Sequence, residues 1–251
     1  MKRRRSATEL VNVHLRAQID VVFSATEVNK LKVRNQSKIH PLSVDARALG
    51  GAIQSANIRY GNQLQALVTA VMQQSRKVAV HHLSGRKVQL PTSSAAAAAI
   101  ERYLSDRDRT SRNLSVSYRH LMAKLKTTKS ERGKKVRDVD LLLKPRKGPL
   151  ILVELKFNDD HDTGKRPDIY RKVLLTADGL RRELRKPVTP MVCYFNSDAS
   201  SEIRYLPVGQ VISGSLLFKR FADVRFSQLV RAINHLGVHF DRKIRPIANG
   251  I

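Results

Sequence analysis

The chain has 251 residues, which is enough to bury a hydrophobic core without disulfide bonds. Lysine and arginine number 47 against 21 acidic residues, and the net charge of +26 is spread along most of the chain. The single cysteine, Cys193, excludes an intrachain disulfide framework and a thiolate metal cluster. No apolar run approaches the roughly 20 residues that span a bilayer, so we expect no membrane partner.

The distribution of charge indicates a polyanionic partner. Neutralising phosphates releases condensed counterions, so many separate basic residues favour nucleic acid over a membrane surface. The first five residues, of which four are basic, are followed by Ser-Ala-Thr-Glu at 6–9 and not by the apolar core of a signal peptide. Because a lone cysteine also fits a reducing compartment, we expect a cytoplasmic protein.

Helices are predicted in the first half of the chain, because apolar residues recur there at helical spacing. The pattern is strongest at 53–71, and an alanine run at 95–99 predicts the start of a further helix. A polar, basic loop at 127–135 then marks a change of period. The apolar positions that define the four helices are Leu15, Ile19, Val22 and Phe23; Ile53, Ala56, Tyr60, Leu64, Leu67, Val68 and Val71; Ile100, Tyr103 and Leu104; and Leu114, Tyr118, Leu121, Met122 and Leu125.

The second half is predicted to mix strands and helices. Two apolar runs, 136–143 and 150–157, flank a turn-forming stretch and predict a β-hairpin. Helical spacing returns at 168–184. Two more strands are predicted at 188–195 and 203–206, and a closing helix at 226–236. The fold class is therefore α/β (α+β), with a largely helical N-terminal half and a small central sheet.

The predicted hairpin brings charged side chains together. Alternate residues of a strand share a face, so Glu154 and Lys156 point the same way. If the turn is centred near 146–147, residues whose numbers sum to about 294 lie opposite each other, about 5 Å apart. Asp140 would then face Glu154, whereas a slip of two residues would place Asp138 there instead.

Two carboxylates at the edge of an apolar sheet repel each other, and burial removes their hydration. A magnesium ion resolves this conflict, since it prefers oxygen ligands and is commonly held by one or two carboxylates, waters and substrate phosphate. We therefore expect Asp140 and Glu154 to bind Mg²⁺, for which Mn²⁺ can substitute. Lys156 would orient the attacking water or stabilise the charge that develops on the phosphate.

These residues resemble the PD-(D/E)xK nuclease superfamily, which includes many type II restriction endonucleases. The pattern consists of Asp140, thirteen intervening residues, Glu154-Leu155-Lys156 on a second strand, and a following helix. The proline that names the motif is Val139 here. The resemblance implies a restriction-endonuclease-like central mixed sheet flanked by helices, with the Asp and the Glu as metal ligands and the lysine as a catalytic residue.

The resemblance covers about residues 136–195 and, by implication, the preceding helices. It implies one nuclease domain over 1–251, in which 1–130 are a mainly helical scaffold for DNA binding and dimerisation and 131–251 are the catalytic α/β core. The implied activity is Mg²⁺-dependent hydrolysis of double-stranded DNA by a type II restriction endonuclease. Two copies of one site suit a palindromic target, so we expect a homodimer. The resemblance to restriction endonucleases also implies a cognate DNA methyltransferase in the same system.

Other residues are candidates for supporting roles. His161, Asp162 and Lys165, which follow the second strand, could add metal or substrate contacts or form a polar turn. Gln65 could replace a glutamate that some superfamily members supply from an early helix. A basic set could contact DNA phosphates, although exposed helical arginines are commonly only solvated. This set consists of Lys165, Arg166, Arg171, Lys172, Arg181 and Arg182.

Alternative interpretations stay open from the sequence. Glu154 and Lys156 could belong to an ordinary cross-strand charge pair, and Asp138 and Asp140 could cap a strand or pair with Arg137. The same fold also serves repair and recombination nucleases, which share the chemistry. The positive charge alone would fit a basic nucleic-acid-binding protein without catalysis, but that hypothesis does not explain two carboxylates and a lysine that converge.

Overall fold

A computed structural model describes residues 4–36, 42–109, 113–131, 133–157, 166–196 and 205–248. The chain forms two compact units, of which one contains Met1–Gln74 and Val224–Ile251 and the other contains Ser75–Asp223. Within the described ranges, no helix combines the length and the apolar character needed to cross a membrane. The single nuclease domain, its division near residue 130 and the cytoplasmic location stay predictions.

Helices dominate the first part of the chain, and strands enter after residue 77. The elements of the described ranges are α1 (Ala7–Val11), a π-helical segment (Asn12–Arg16), α2 (Ala17–Val22), α3 (Ala25–Gln36), α4 (Val44–Gln73), β1 (Val78–Val80), β2 (Arg86–Pro91), α5 (Ser94–Arg109), α6 (Leu114–Thr127), β3 (Lys134–Val139), β4 (Leu141–Pro145), β5 (Leu150–Lys156), α7 (Arg166–Leu184), β6 (Val188–Tyr194), β7 (Val211–Ser213), α8 (Gly214–Phe221) and α9 (Phe226–Ala248). The predicted helices are thereby confirmed. Helices α3 and α8 and the short strands β1, β2 and β7 were not predicted from the sequence.

Helices α1 to α4 and α9 form the first unit. At the start of α1, the Ser6 hydroxyl accepts a hydrogen bond from the Glu9 N–H, and the Glu9 carboxylate accepts one from the Ser6 N–H. Phe23 packs edge-to-face against Phe240 of α9, with ring centroids 5.2 Å apart. The last described helix therefore contributes to the core of this unit.

A five-stranded mixed sheet lies at the centre of the second unit. Its strand order is β1-β4-β5-β6-β7. Strand β4 is antiparallel to both of its neighbours, β1 and β5, whereas β5, β6 and β7 run parallel to one another. Strands β2 and β3 form a separate antiparallel pair. Helix α7 packs against both sheets and approaches β2 closely, since a Cβ at Gly179 would lie 2.9 Å from the Leu90 Cβ. A mixed sheet flanked by helices confirms the predicted fold class.

The register of the β4–β5 hairpin agrees with the prediction. Leu141 pairs with Val153, so the numbers of paired residues sum to 294. The prediction of one continuous strand over 136–143 is wrong, however. Strand β3 ends at Val139 and pairs with β2, whereas β4 pairs with β1 and β5. Asp140 occupies the corner where the chain passes from one sheet to the other.

The strand predicted at 203–206 is also wrong where the structure describes it. Tyr205 and Leu206 are buried but belong to no strand, and residues 203–204 lie outside the described ranges. The Tyr205 ring packs on Tyr170 with centroids 4.8 Å apart, and its carbonyl accepts a hydrogen bond from the Tyr103 hydroxyl at 2.6 Å. Here the apolar pattern reflects burial of a connecting segment and not strand pairing.

Candidate active site

Asp140 is held at the corner between β3 and β4 by a main-chain hydrogen bond. Its side chain is 13% exposed, and its Oδ2 accepts a hydrogen bond from the Leu155 N–H at 3.0 Å. The hairpin register would place Val139 opposite Leu155, but Val139 belongs to the other sheet. The Asp140 carboxylate therefore takes the place of a main-chain acceptor, and this bond fixes its distance from β5.

Glu154 lies near the C-terminal end of β5, which is an interior strand between β4 and β6. Its side chain is only 4% exposed for this reason. The Glu154 Oε1 lies 2.9 Å from the Lys156 Nζ and 2.7 Å from the Lys172 Nζ. A carboxylate that has lost its hydration requires such partners, and the two ammonium groups supply them.

Lys172 reaches both carboxylates from helix α7. Its Nζ lies 2.7 Å from the Glu154 Oε1 and 3.6 Å from the Asp140 Oδ1. Lys172 was predicted from the sequence only as a member of the basic set for DNA, and its contact with the carboxylates was not predicted. Lys172 lies three residues after the core residue Ile169, which places it at the border of the buried face of α7. Only the packing of α7 against the sheet determines where the Lys172 side chain points.

The proximity of these groups alters their acid–base behaviour. Burial, followed by the negative charge of Glu154, raises the pKa of Asp140 from its ordinary 3.8 to about 6, against the opposing effects of Lys172 and the Leu155 N–H. Burial acts to lower the pKa of Lys172, but the Glu154 and Asp140 carboxylates outweigh it and raise this pKa. Lys172 is therefore cationic at neutral pH, and Asp140 ionises just below neutrality.

The carboxylate pair suits a divalent cation. One ammonium already contacts both carboxylates, which shows that a cation can lie between Asp140 and Glu154. Within the part of the chain that the structure describes, no three His, Cys, Asp or Glu side chains gather as a metal-binding group. The described residues would thus offer two carboxylates and leave other positions to water and phosphate, as is common for Mg²⁺.

Asp140, and not Asp138, lies beside Glu154. Asp138 is exposed on β3, where its register partner is Lys87 of β2. Its negative charge contributes to the raised pKa of Lys172, but the ammonium of that lysine contacts Asp140. The geometry therefore favours Asp140 as the metal ligand, although that role stays a prediction.

The side chains of the other predicted supporting residues lie outside the described part of the chain or belong to the first unit. His161, Asp162 and Lys165 lie outside the described residues. Arg166 begins α7, and its side chain also lies outside them. Gln65 is half-buried on α4, in the first unit, whereas the carboxylates belong to the second. The roles proposed for these residues stay predictions.

Two arginines of the predicted basic set have internal partners. The Arg182 side chain is 5% exposed and donates hydrogen bonds to the Asp178 carboxylate and the Thr128 carbonyl. Arg181 donates to Asp178 and to the Leu125 carbonyl at the end of α6. These bonds tie α7 to the segment that follows α6, so the two guanidiniums act as structural groups and DNA contact is not proposed for them.

Arg171 differs from these two arginines because it is more exposed. Its guanidinium forms ion pairs with Glu101 of α5 and with Asp168 one turn earlier on α7. Ion pairs at the surface contribute little to stability and can be exchanged for other partners. Arg171 therefore stays a candidate for contact with a phosphate group.

The fold and the site together define a class of protein. A mixed sheet flanked by helices carries two carboxylates and two lysines at the end of an interior strand, which is consistent with the restriction endonuclease-like fold. A family model described as type II restriction endonuclease, HinfI, matches residues 4–237. The chain therefore belongs to the HinfI family of type II restriction endonucleases.

Similarity to an individual enzyme agrees with this family membership. The chain is 29% identical over 241 residues to the type II restriction enzyme HinfI of Haemophilus influenzae, and the alignment covers 91% of this chain and 90% of that protein. No solved structure matches the chain. The resemblance found in the sequence and the predicted enzyme class, a type II site-specific deoxyribonuclease, are thereby confirmed.

Proposed function

We propose that this protein hydrolyses phosphodiester bonds at a specific sequence of double-stranded DNA, and that it requires Mg²⁺, for which Mn²⁺ can substitute. The observation that carries the metal requirement is that the carboxylates of Asp140 and Glu154 both lie close to one positive charge, the Lys172 ammonium, at the end of β5. Family membership supports sequence-specific cleavage of DNA. The net charge of +26 supports a polyanionic substrate.

Asp140, Glu154 and Lys156 have separate roles in this proposal. The two carboxylates would hold the metal ion, which when bound polarises a phosphate oxygen and lowers the pKa of a bound water. The Leu155 N–H orients Asp140, and burial in an interior strand orients Glu154. Lys156 is 26% exposed, so its ammonium can donate a hydrogen bond to the scissile phosphate and stabilise the negative charge that develops there.

The protein is also proposed to act with a second copy of itself and with a cognate methyltransferase. Two copies related by a two-fold axis would cut both strands of a palindromic site, so the protein is proposed to act as a homodimer. Light scattering of the free protein and of its DNA complex tests this assembly. A cognate methyltransferase, encoded beside the nuclease, would protect the host DNA. Arg171 of α7 is a proposed phosphate contact, as are Lys165 and Arg166.

Digestion of a fully sequenced phage genome tests the activity. With Mg²⁺, the purified protein should yield discrete fragments whose mapped ends share one short sequence, and a chelator should prevent cleavage. A smear, or cleavage that follows DNA structure, would instead assign the protein to repair or recombination. If neither Mg²⁺ nor Mn²⁺ supports cleavage of any DNA, the protein binds nucleic acid without catalysis and the proposal is refuted.

A pair of variants tests the site. Glu154→Gln should lower the rate of cleavage on the order of a hundredfold or more, because it removes a charge from the proposed metal site, while DNA binding persists in a gel-shift assay. Glu183→Gln is the matched control, since Glu183 is 37% exposed on α7 and pairs with Lys134. It should cleave at the wild-type rate. Equal rates for both variants would show that the catalytic site lies elsewhere.

A further inference from the structure

We infer that Lys172 is the internal counter-ion of the carboxylate pair, and that a divalent cation must displace its ammonium in order to bind. This inference rests on the proposed metal site and deepens it, because it assigns control of the metal affinity to a residue outside the predicted motif. The observation is one ammonium shared between Glu154, at 2.7 Å, and Asp140, at 3.6 Å. Lys172 would then set the affinity of the free protein for metal.

Two cations compete for the space between these carboxylates. Mg²⁺ lies about 2.0–2.1 Å from its oxygen ligands. The Lys172 nitrogen already lies within hydrogen-bond distance of the Glu154 Oε1. A divalent ion between the carboxylates would face this positive charge at short range in a mostly buried site, where the Coulomb repulsion is strong. One of the two cations must therefore leave.

Lys172 is the group that can move. The Asp140 carboxylate is bound to the Leu155 N–H, and the Glu154 side chain is almost completely buried. The Lys172 side chain is 34% exposed and carries its ammonium on a flexible four-carbon stem. Release of the ammonium requires rotation of one side chain, while α7 stays anchored by the hydrogen bonds that Arg181 and Arg182 donate to the carbonyls of Leu125 and Thr128.

Displacement of Lys172 would couple metal binding to DNA binding. A released ammonium beside a bound phosphodiester gains a phosphate oxygen as its new partner. Metal and DNA then increase each other's affinity, because both favour the same position of one charged side chain. Without DNA, the ammonium of Lys172 keeps the affinity for metal low.

The test is Mn²⁺ binding without DNA, measured from the electron paramagnetic resonance signal of free Mn²⁺. Lys172→Met should bind Mn²⁺ roughly tenfold more tightly than the wild type. Lys134→Met is the matched control, because Lys134 is exposed in the same unit and pairs with Glu183. Its affinity should stay within about twofold of wild type. Glu154→Gln added to Lys172→Met should abolish the tight binding, which locates the ion.

A second measurement uses the unaltered chain, so it does not depend on the folding of a variant. Limited acetylation followed by peptide mass spectrometry reports how readily each lysine is reached. Mn²⁺ should increase the acetylation of Lys172 severalfold, because the released ammonium moves into solvent, and should leave Lys134 unchanged. A lysine that only braced the carboxylates would keep its place when the metal binds.

The outcomes separate this inference from the proposed function. Weaker or unchanged Mn²⁺ binding by Lys172→Met, or acetylation of Lys172 that Mn²⁺ does not increase, overturns the inference but leaves the metal site intact. If Mn²⁺ binds to neither protein and no metal supports cleavage, the proposed function fails and the inference fails with it. Tighter binding by Lys172→Met together with increased acetylation of wild-type Lys172 supports both.

Discussion

Asp140→Asn is expected to stabilise the metal-free protein while it abolishes cleavage. The pKa of Asp140 rises from 3.8 to about 6 in the folded chain, so its contribution to stability is present below pH 3.8 and is lost as the pH rises to about 6. At pH 8 the ionised carboxylate costs about 3 kcal/mol, because each tenfold change in an equilibrium is worth about 1.4 kcal/mol. Asparagine removes this charge and still accepts a hydrogen bond from the Leu155 N–H.

Urea unfolding in the presence of a chelator measures this effect, followed by circular dichroism since the chain contains no tryptophan. The gain from Asp140→Asn should approach about 3 kcal/mol at pH 8 and fall to about 1 kcal/mol at pH 4.5, where the folded carboxyl is already protonated. Asp138→Asn, at an exposed position on β3, should change the stability by less than about 0.5 kcal/mol. A gain at Asp140 that is absent at pH 8, or equal at both pH values, would refute the reasoning.

Two further predictions concern the titration of the site and the packing of α7. Because a protonated Asp140 cannot bind a cation, Mn²⁺ affinity should be about tenfold weaker at pH 5 than at pH 7, and an affinity that is level over this range would contradict the assignment. Gly179→Ala should destabilise the protein by about 1–3 kcal/mol, since its Cβ would meet the Leu90 Cβ at 2.9 Å. The control is Gly237→Ala on α9, where a Cβ meets nothing within 4 Å, and it should stabilise the protein slightly. Equal urea midpoints for the two variants would contradict the close approach of Gly179 to Leu90.

The register of the hairpin was accessible from the sequence because it depends on local chemistry. The turn-forming stretch fixes which residues face each other, and the strands on either side have the apolar pattern of a buried sheet. These two signals suffice to predict that Asp140 and Glu154 lie close together, as they do in the structure. The longer helices were predictable for a similar reason, since each repeats its apolar spacing over several turns.

The remaining features depend on contacts between segments distant in the sequence. Strand β3 separates from β4 at Asp140 because β2, about fifty residues earlier, provides its partner. Strands β1 and β7 have three residues each, which is too short for a periodic pattern. The position of Lys172 beside the carboxylates follows from the packing of α7 against two sheets, and no local pattern reports that packing.

The β4–β5 ladder has a consequence for changes in chain length. An insertion or deletion between Asp140 and Leu143, or between Ile151 and Glu154, would move each following side chain to the opposite face of the sheet and would also shift one carboxylate along it. A change of length there would therefore disturb the core and the carboxylate pair together. The hairpin tip is different, because residues 146–149 are exposed and Gly148 has a φ of +95°. Extra residues there would enlarge only a loop, whose closure entropy grows slowly with length, so the tip is a suitable place to insert a tag or a linker.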